Sequence, residues 1–155
     1  HPTRDLLATV YGLEPAQVQV VVPDVGGGFG AKSRTYPEEL ALAWYAKQLG
    51  RPVKWTETRS ENVAAMPQGR GQIQYAKLGG TRDGRITAME IDVLMDGGAY
   101  VTLSPVVLSR GVLHATGPYR CDHVQVKGRV VMTNTPPNGA FRGFGAPQTQ
   151  FAAMG

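Results

Sequence analysis

Two stretches rich in glycine and phenylalanine are the parts of this 155-residue sequence whose residue types could do chemistry. The first, PDVGGGFGAKS, covers residues 23–33, and the second, NGAFRGFGAPQ, covers residues 138–148. Glycine lets backbone N–H groups approach a bulky anion that side chains would obstruct. A phenylalanine beside such a group can orient a flat molecule by stacking. The first stretch is therefore of a kind that brings its backbone close to a ligand.

The first stretch also resembles two loops that bind nucleotides. From Gly26 to Ser33 it matches a P-loop, except that Ala31 replaces the second glycine. The fingerprint of a Rossmann-like dinucleotide-binding domain fits as Gly26-x-Gly28-x-x-Ala31. In both of these sites a helix begins directly after the glycines, so that its amide groups face the phosphates. The first stretch alone therefore leaves two alternatives for the chain, a dinucleotide-binding domain and a cofactor-free structural module.

The start of the next helix disfavours these nucleotide sites. Thr35-x-x-Glu38 forms a capping box with Pro37 in the first turn, and this pattern predicts a helix that begins several residues after the glycines.

In the second stretch, RGFGAP begins like an RNA-binding strand motif. Pro147 cannot donate to a strand ladder, so we expect no nucleic-acid partner.

The elements that must position the two stretches are short helices and strands. Helical spacing predicts helices over residues 4–12, 35–50 and 104–114, and QTQFAAMG has the pattern of an opening helix. Alternating or apolar runs predict strands over 17–22, 53–58, 71–78, 86–95 and 123–132, with Asp83-Gly84 in a hairpin turn. This pattern indicates an α+β fold with mixed strands, a hairpin and a few helices. Both ends look truncated, so we expect one partial domain over 1–155.

Other polar residues give weaker signals. His1, His114 and His123 have no metal-ligand spacing, and we expect them to be surface or capping residues. The single cysteine, Cys121, excludes an intrachain disulfide and is expected to be a buried structural thiol. Asp92 and Asp96 are expected to be solvated or turn residues. The net charge is +4, and no apolar run is long enough to span a membrane.

Taken together and in this order, DVGGGFGAK and NGAFRGFGAPQ resemble the molybdenum hydroxylase family, which includes xanthine dehydrogenase and aldehyde oxidoreductases. The intervening GRPVKWTETRSE and GPYRCDHVQVKGRVVMTN fit the same family in order. The resemblance is to the first molybdopterin-binding region of the large subunit and covers nearly the whole chain. It implies an oxidoreductase that hydroxylates an aldehyde or an aromatic N-heterocycle with water as the oxygen source.

The resemblance also implies roles for individual residues. The positions expected against the cofactor are Gly27, Gly28, Phe29, Gly30 and Arg142. Phe29 and Arg142 are expected in the surroundings of the molybdenum, neither as a side-chain ligand. The residues expected to face the substrate are Phe144, Arg110 and Ser33. The general-base glutamate of the family is expected downstream of Gly155, so no catalytic residue is expected within this chain.

Two departures from the family pattern narrow the expected substrate. Ser33 stands where the purine-oxidising members have a glutamate, which disfavours xanthine itself. Gly143 stands where the carbon monoxide dehydrogenases have a copper-binding cysteine, which disfavours that reaction. Aldehydes and nitrogen heterocycles remain.

The resemblance finally implies a larger assembly. The expected cofactor is molybdopterin or its cytosine dinucleotide, and partner domains or subunits would hold iron–sulfur clusters, with FAD left open. We expect an oligomer in the full enzyme, a cytoplasmic location, and no activity from these 155 residues alone.

Overall fold

The computed structural model describes residues 2–154, which form two compact units with a boundary after Asn62. Helix α1 spans Pro2–Tyr11, α2 spans Pro37–Leu49 and α3 spans Arg59–Ala65. Strand β1 spans Gln72–Gly80, β2 spans Ile86–Gly98 and β3 spans His123–Met132. Helix α4 spans Ser104–Leu113 and α5 spans Ala146–Met154. These elements confirm the expected α+β class.

The first unit is mostly helical, with α1 and α2 tied together by side chains. The hydroxyl of Tyr11 donates to the carbonyl of Leu40, and the hydroxyls of Thr3 and Thr35 lie 2.8 Å apart. The helix expected over 4–12 is confirmed, although it begins earlier, at Pro2, and ends at Tyr11. Helix α2 ends where expected, because Gly50 takes the left-handed conformation, with φ 60°.

The cap of α2 lies one residue later than the sequence pattern indicated. The amide of Tyr36, not of Thr35, donates to the carboxylate of Glu39, not of Glu38, at 3.3 Å. Pro37 is the first helical residue, which suits its fixed φ and missing N–H. The capping-box assignment was therefore wrong by one residue. The late helix start that it indicated is confirmed.

The strands expected over 17–22 and 53–58 are wrong. Residues 18–25 and 52–58 belong to no helix or strand, and α3 follows the second of these segments. Val21 and Val22 are 73% and 71% exposed. A run of β-branched residues favours extended backbone, but a strand also needs a hydrogen-bonded neighbour, and the described residues provide none here. Since no strand precedes the first glycine loop, the Rossmann-like alternative is not supported.

The second unit contains a three-stranded sheet in the order β1-β2-β3. Strands β1 and β2 form the expected antiparallel hairpin, with Gly84 in its turn at φ 89°, and β3 lies parallel to β2. The strand expected over 123–132 is confirmed at both ends. The hairpin follows from the Asp-Gly dipeptide, and the parallel pairing follows because α4 provides the crossover between β2 and β3.

Strand β2 provides the core of this unit. Met89, Ile91, Val93 and Met95 alternate along its buried face and are at most 3% exposed. Each such side chain contributes roughly 1.5–3 kcal/mol of hydrophobic stabilisation. Helix α4 packs over β2 and β3 on this face, and α5 packs beside α4 and β1. The helix expected over 104–114 is thus confirmed, and it fixes the layer on which the second glycine loop rests.

Candidate functional site

The first glycine loop has an unusual backbone. Gly27 and Gly30 have φ values of 137° and 104°, and Phe29, which is not glycine, has φ 49°. Left-handed backbone is costly for a residue with a Cβ, and such strain clusters at functional sites. The loop closes in a short 3-10 turn over Ala31–Ser33, in which the amide of Ser33 donates to the carbonyl of Gly30 at 3.3 Å.

The amide groups of this loop are available to a ligand. Among the described residues, no N–H from Gly26 to Gly30 donates a hydrogen bond. Gly26 has no heavy atom within 4 Å of the place where a Cβ would stand, and Gly28 has only the Cβ of Lys32 at 3.8 Å. Successive free amides on a turning backbone form a concave surface that binds anions. The loop therefore fits an anionic cofactor, as the sequence indicated.

Gly27, unlike Gly26 and Gly28, lies against an aromatic side chain of the loop. A Cβ at Gly27 would overlap the ring of Phe29, so the missing side chain makes room for that ring. Phe29 itself is 54% exposed. The loop thus presents an aromatic ring and a left-handed backbone at the same residue.

Ser33 and Tyr36 brace the end of the loop. The Ser33 hydroxyl donates to the carbonyl of Gly30 at 2.7 Å, and the Tyr36 hydroxyl donates to the carbonyl of Ala31. Burial raises the pKa of Tyr36, and the carboxylates of Glu57, Glu38 and Glu39 raise it further. The phenol therefore keeps its proton as a donor. Ser33, expected to face the substrate, has its own hydroxyl proton engaged within the loop.

The second glycine loop turns tightly over residues 142–145. The amide of Phe144 donates to the carbonyl of Phe141 at 2.6 Å, and the amide of Ala146 donates to the carbonyl of Gly143 at 3.1 Å. Gly143 has φ 85° and Gly145 has φ 109°. Because the segment is a turn that leads into α5, it is not the strand that an RNA-binding motif would require.

Gly145 joins this turn to helix α4. It is buried, and a Cβ there would overlap the carbonyl oxygen of Val107 and the amide of Gly111. The hydroxyl of Thr149, itself buried, donates to the carbonyl of Gly145 at 3.3 Å. The glycines of the second loop thus allow close packing between protein segments.

Two of the residues expected to face a substrate lie together in this unit. The guanidinium carbon of Arg110, on α4, is 5.9 Å from the centre of the Phe144 ring. An arginine and an aromatic ring at this distance form a cation–π pair. Arg142 is exposed, and its guanidinium makes no hydrogen bond or ion pair with the described residues. Arg110 therefore places positive charge beside the flat ring of Phe144.

Asp96, expected to be a solvated or turn residue, is held by several hydrogen bonds. Its carboxylate accepts hydrogen bonds from the hydroxyls of Thr133 and Thr135 at 2.6 and 2.9 Å and from the amide of Gly98 at 2.9 Å. The bond from Thr133, and then that from Gly98, lowers the pKa of Asp96. Asp96 therefore anchors the segment that enters the second loop and is not merely a solvated or turn residue. The Asp-Gly-Gly sequence at a strand end was the available signal.

The remaining polar residues have structural partners. Asp92 forms an ion pair with Arg129 at 2.7 Å, so it is not simply solvated. Nδ1 of His114 lies 2.7 Å from the carbonyl oxygen of Arg110, in keeping with a capping role, whereas His1 lies outside the described residues. Cys121 is half-buried beside the core. Within residues 2–154, no group of three His, Cys, Asp or Glu side chains could hold a metal ion, and no helix is long and apolar enough to cross a membrane.

The chain matches one protein family and several known oxidoreductases. Residues 1–154 match the model of the molybdopterin cofactor-binding domain family. The nicotinate dehydrogenase large molybdopterin subunit of Eubacterium barkeri is 34% identical over 100% of this chain, which spans 36% of that protein. Quinoline 2-oxidoreductase from Pseudomonas putida 86 matches 93% of the chain with a TM-score of 0.84 and 36% identity. Aldehyde oxidoreductase from Desulfovibrio gigas matches 97% of it with a TM-score of 0.84 and 32% identity. The chain covers 19% and 16% of these two structures.

Proposed function

The chain belongs to the molybdopterin cofactor-binding domain family, and from this premise we propose that it is part of the large subunit of a molybdenum-cofactor oxidoreductase. The reaction is an oxidative hydroxylation, in which a C–H bond of the substrate and one water become C–OH, two electrons and two protons. The electrons leave to a partner redox centre.

The first loop would hold the cofactor through its backbone. The free amides from Gly27 to Gly30 are suited to the anionic groups of molybdopterin or its cytosine dinucleotide. The guanidinium of Arg142, which has no acidic partner among the described residues, would add positive charge near the metal. When bound, the cofactor supplies the redox chemistry, and the protein supplies position and electrostatics.

The second loop would hold the substrate. A flat ring can stack on Phe144, and Arg110 beside it can attract the polar oxygen or ring nitrogen of an aldehyde or an aromatic N-heterocycle. This pair is the observation that supports the substrate class most strongly. Ser33 supports a substrate other than xanthine, because it is not an acid and its hydroxyl proton is already engaged.

Gly143 supports the exclusion of carbon monoxide as the substrate. Its φ of 85° and the closeness of Pro147, whose Cγ would lie 2.6 Å from a Cβ, leave no room for a cysteine side chain in this turn. A copper-binding thiolate at this position would require the turn to change conformation.

The whole protein would extend well beyond these residues. We propose that further segments supply the general-base glutamate and most pterin contacts, so that residues 1–155 alone are inactive. Partner domains or subunits would hold iron–sulfur clusters and an optional FAD, in an oligomeric enzyme without a nucleic-acid partner. A cytoplasmic location suits a chain whose single cysteine, Cys121, cannot form an intrachain disulfide.

The test uses the full-length protein with its partner subunits. Molybdenum content is measured by mass spectrometry, and turnover of aldehydes and aromatic N-heterocycles is followed in water labelled with oxygen-18. We expect bound molybdenum and label in the product. Phe144→Ala is expected to lower kcat/KM for the heterocycle by about tenfold, whereas Phe151→Ala, at a ring 82% exposed on α5, is the matched control. A molybdenum-free protein, or a product oxygen that comes from O₂, would refute the proposal.

A further inference from the structure

Arg70 is a residue with an unusual conformation outside both glycine loops. Its φ is 76°, in the left-handed region, although it carries a long side chain. Its neighbours Gly69 and Gly71 lie against other segments, since a Cβ at Gly69 would stand 2.9 Å from the Cβ of Phe141. A strained non-glycine residue persists only where the surrounding contacts compensate for the strain. The contacts of Arg70 therefore call for an explanation.

The guanidinium of Arg70 binds the second glycine loop at several points. Nη2 donates to the carbonyl oxygen of Arg142, and the guanidinium carbon lies 4.8 Å from the centre of the Phe141 ring. Nη1 donates to Oε1 of Gln148 at 3.0 Å. That same oxygen accepts a hydrogen bond from the amide of Gly145 at 3.0 Å. Arg70 thus contacts the start of the turn directly and its end through Gln148.

The acceptors of Arg70 are all neutral. They are a carbonyl oxygen, an amide oxygen and an aromatic ring, and no carboxylate among the described residues forms an ion pair with Arg70. The arginine therefore fixes the backbone of the turn while its charge stays uncompensated. Arg142, whose carbonyl is held, keeps its own guanidinium free to point elsewhere. Arg70 therefore fixes the turn, and the side chain of Arg142 remains available for other contacts.

We propose that Arg70 is a positioning residue that sets the place of the 142–145 turn, and through it of Phe144 and Arg142. The inference rests on the proposed function, because it assigns Arg70 to the substrate side of that site. Arg70 touches neither cofactor nor substrate in this role. Its contribution is to hold, at both ends, a turn that would otherwise be fixed mainly by Gly145.

The first test is a double-mutant cycle in the full-length protein. The hydrogen-exchange rate of the Gly145 amide is measured for each variant. Arg70→Ala is expected to speed exchange by about tenfold, because Gln148 loses the group that orients it. Gln148→Ala should have a similar effect, and the double variant should exceed either single one by no more than about twofold. Arg120→Ala, at a side chain 95% exposed, is the matched control and should leave exchange unchanged. Additive effects, or unchanged exchange in Arg70→Ala, would overturn the proposal.

A second variant distinguishes the loss of the Arg70 guanidinium from the effect of the strained backbone at this residue. Arg70→Gly relieves the left-handed φ but lacks the guanidinium, so it should unfold at a temperature no lower than Arg70→Ala and still show the fast exchange. Wild-type exchange in Arg70→Gly would overturn the proposal. In the loaded enzyme, Arg70→Ala should raise KM for the heterocycle by about tenfold with kcat within about threefold, and an unchanged KM would count against it. Molybdenum content of the wild type and Arg120→Ala tests the proposed function separately, since hydrogen exchange decides the role of Arg70 in either case.

Discussion

The two glycine loops look alike in sequence but use their glycines in different ways. In the first loop, Gly26 and Gly28 face open space, and the amides around them have no partner among the described residues. In the second loop, Gly145 is buried against α4, and Gly143 lies against Pro147. The first set of glycines leaves its backbone amides open, whereas the second allows the protein to pack on itself.

Under the proposed function, this difference suits each loop to its own role. A loop that binds a large cofactor by its backbone must leave that backbone free, so it depends on the ligand for part of its order. A loop that presents side chains to a small substrate must be rigid before the substrate arrives. Gly145 and Arg70 hold the second loop itself, and Asp96 holds the segment that enters it.

The largest effect is expected at Gly145. Gly145→Ala places a methyl group on backbone atoms of α4 and forces a side chain into φ 109°. We expect the full-length protein to lose roughly 2–5 kcal/mol in its free energy of unfolding. Denaturant unfolding measures the loss. A variant as stable as the wild type would show that the second loop is not a packed element, and the comparison would fail.

Asp96 is expected to give the next largest effect. Asp96→Asn weakens the hydrogen bonds from Thr133, Thr135 and Gly98, and we expect a loss of about 1–3 kcal/mol in unfolding free energy. Asp24→Asn, in the exposed first loop, is the matched control and should change stability by less than about 0.5 kcal/mol. Equal effects at the two positions would contradict the assignment of Asp96 as an anchor.

The pH dependence of this effect has a definite sign. The folded-state pKa of Asp96 is lowered from 3.8 by the hydrogen bond from Thr133 and then by that from Gly98. The stabilisation is therefore fully present above pH 3.8 and is lost as the pH falls from there through the folded-state pKa. Unfolding curves of wild type and Asp96→Asn should converge in that acidic range. A difference that stayed constant to low pH would exclude ionisation of Asp96 as the cause.

The smallest effect on stability, but a clear one on the cofactor, is expected at Gly28. A methyl group there meets only the Cβ of Lys32 at ordinary contact distance, so Gly28→Ala should change unfolding free energy by less than about 0.5 kcal/mol. Molybdenum per subunit should nevertheless fall by about tenfold, since the methyl group obstructs the approach to the free amides. Gly79→Ala, on β1 outside both loops, would meet Thr87 and Ala88 at ordinary contact distance and is the control that should retain its molybdenum. Equal loss in both variants would remove the assigned role of Gly28.

The sequence predicted elements whose signals are local. Asp83-Gly84 marks the hairpin turn, Gly50 ends α2, and the alternation over 123–132 marks β3, because each depends on residues close together in the chain. The valine run over 17–22 was assigned wrongly, since strand formation depends on a partner that this run does not have among the described residues. Local propensity thus predicted extended backbone without predicting a sheet.

The sequence motifs predicted two of the residues that lie together in the candidate site. The resemblance selected Phe144 and Arg110, and the structure brings them together. Arg70 was missed, and the anchoring role of Asp96 was not predicted, because both residues act through hydrogen bonds to segments about 70 and 40 residues away, which no spacing in the sequence reveals. The left-handed φ of Arg70 is likewise imposed by packing and is not a property of arginine.

The proposed function depends most on the first glycine loop, which would hold a molybdenum cofactor through its backbone. The most direct test is anomalous X-ray scattering at the molybdenum absorption edge from crystals of the full-length protein. We expect one molybdenum peak, with the backbone of Phe29 in its immediate surroundings. The absence of a molybdenum peak, or a peak remote from the backbone of Phe29, would contradict the account.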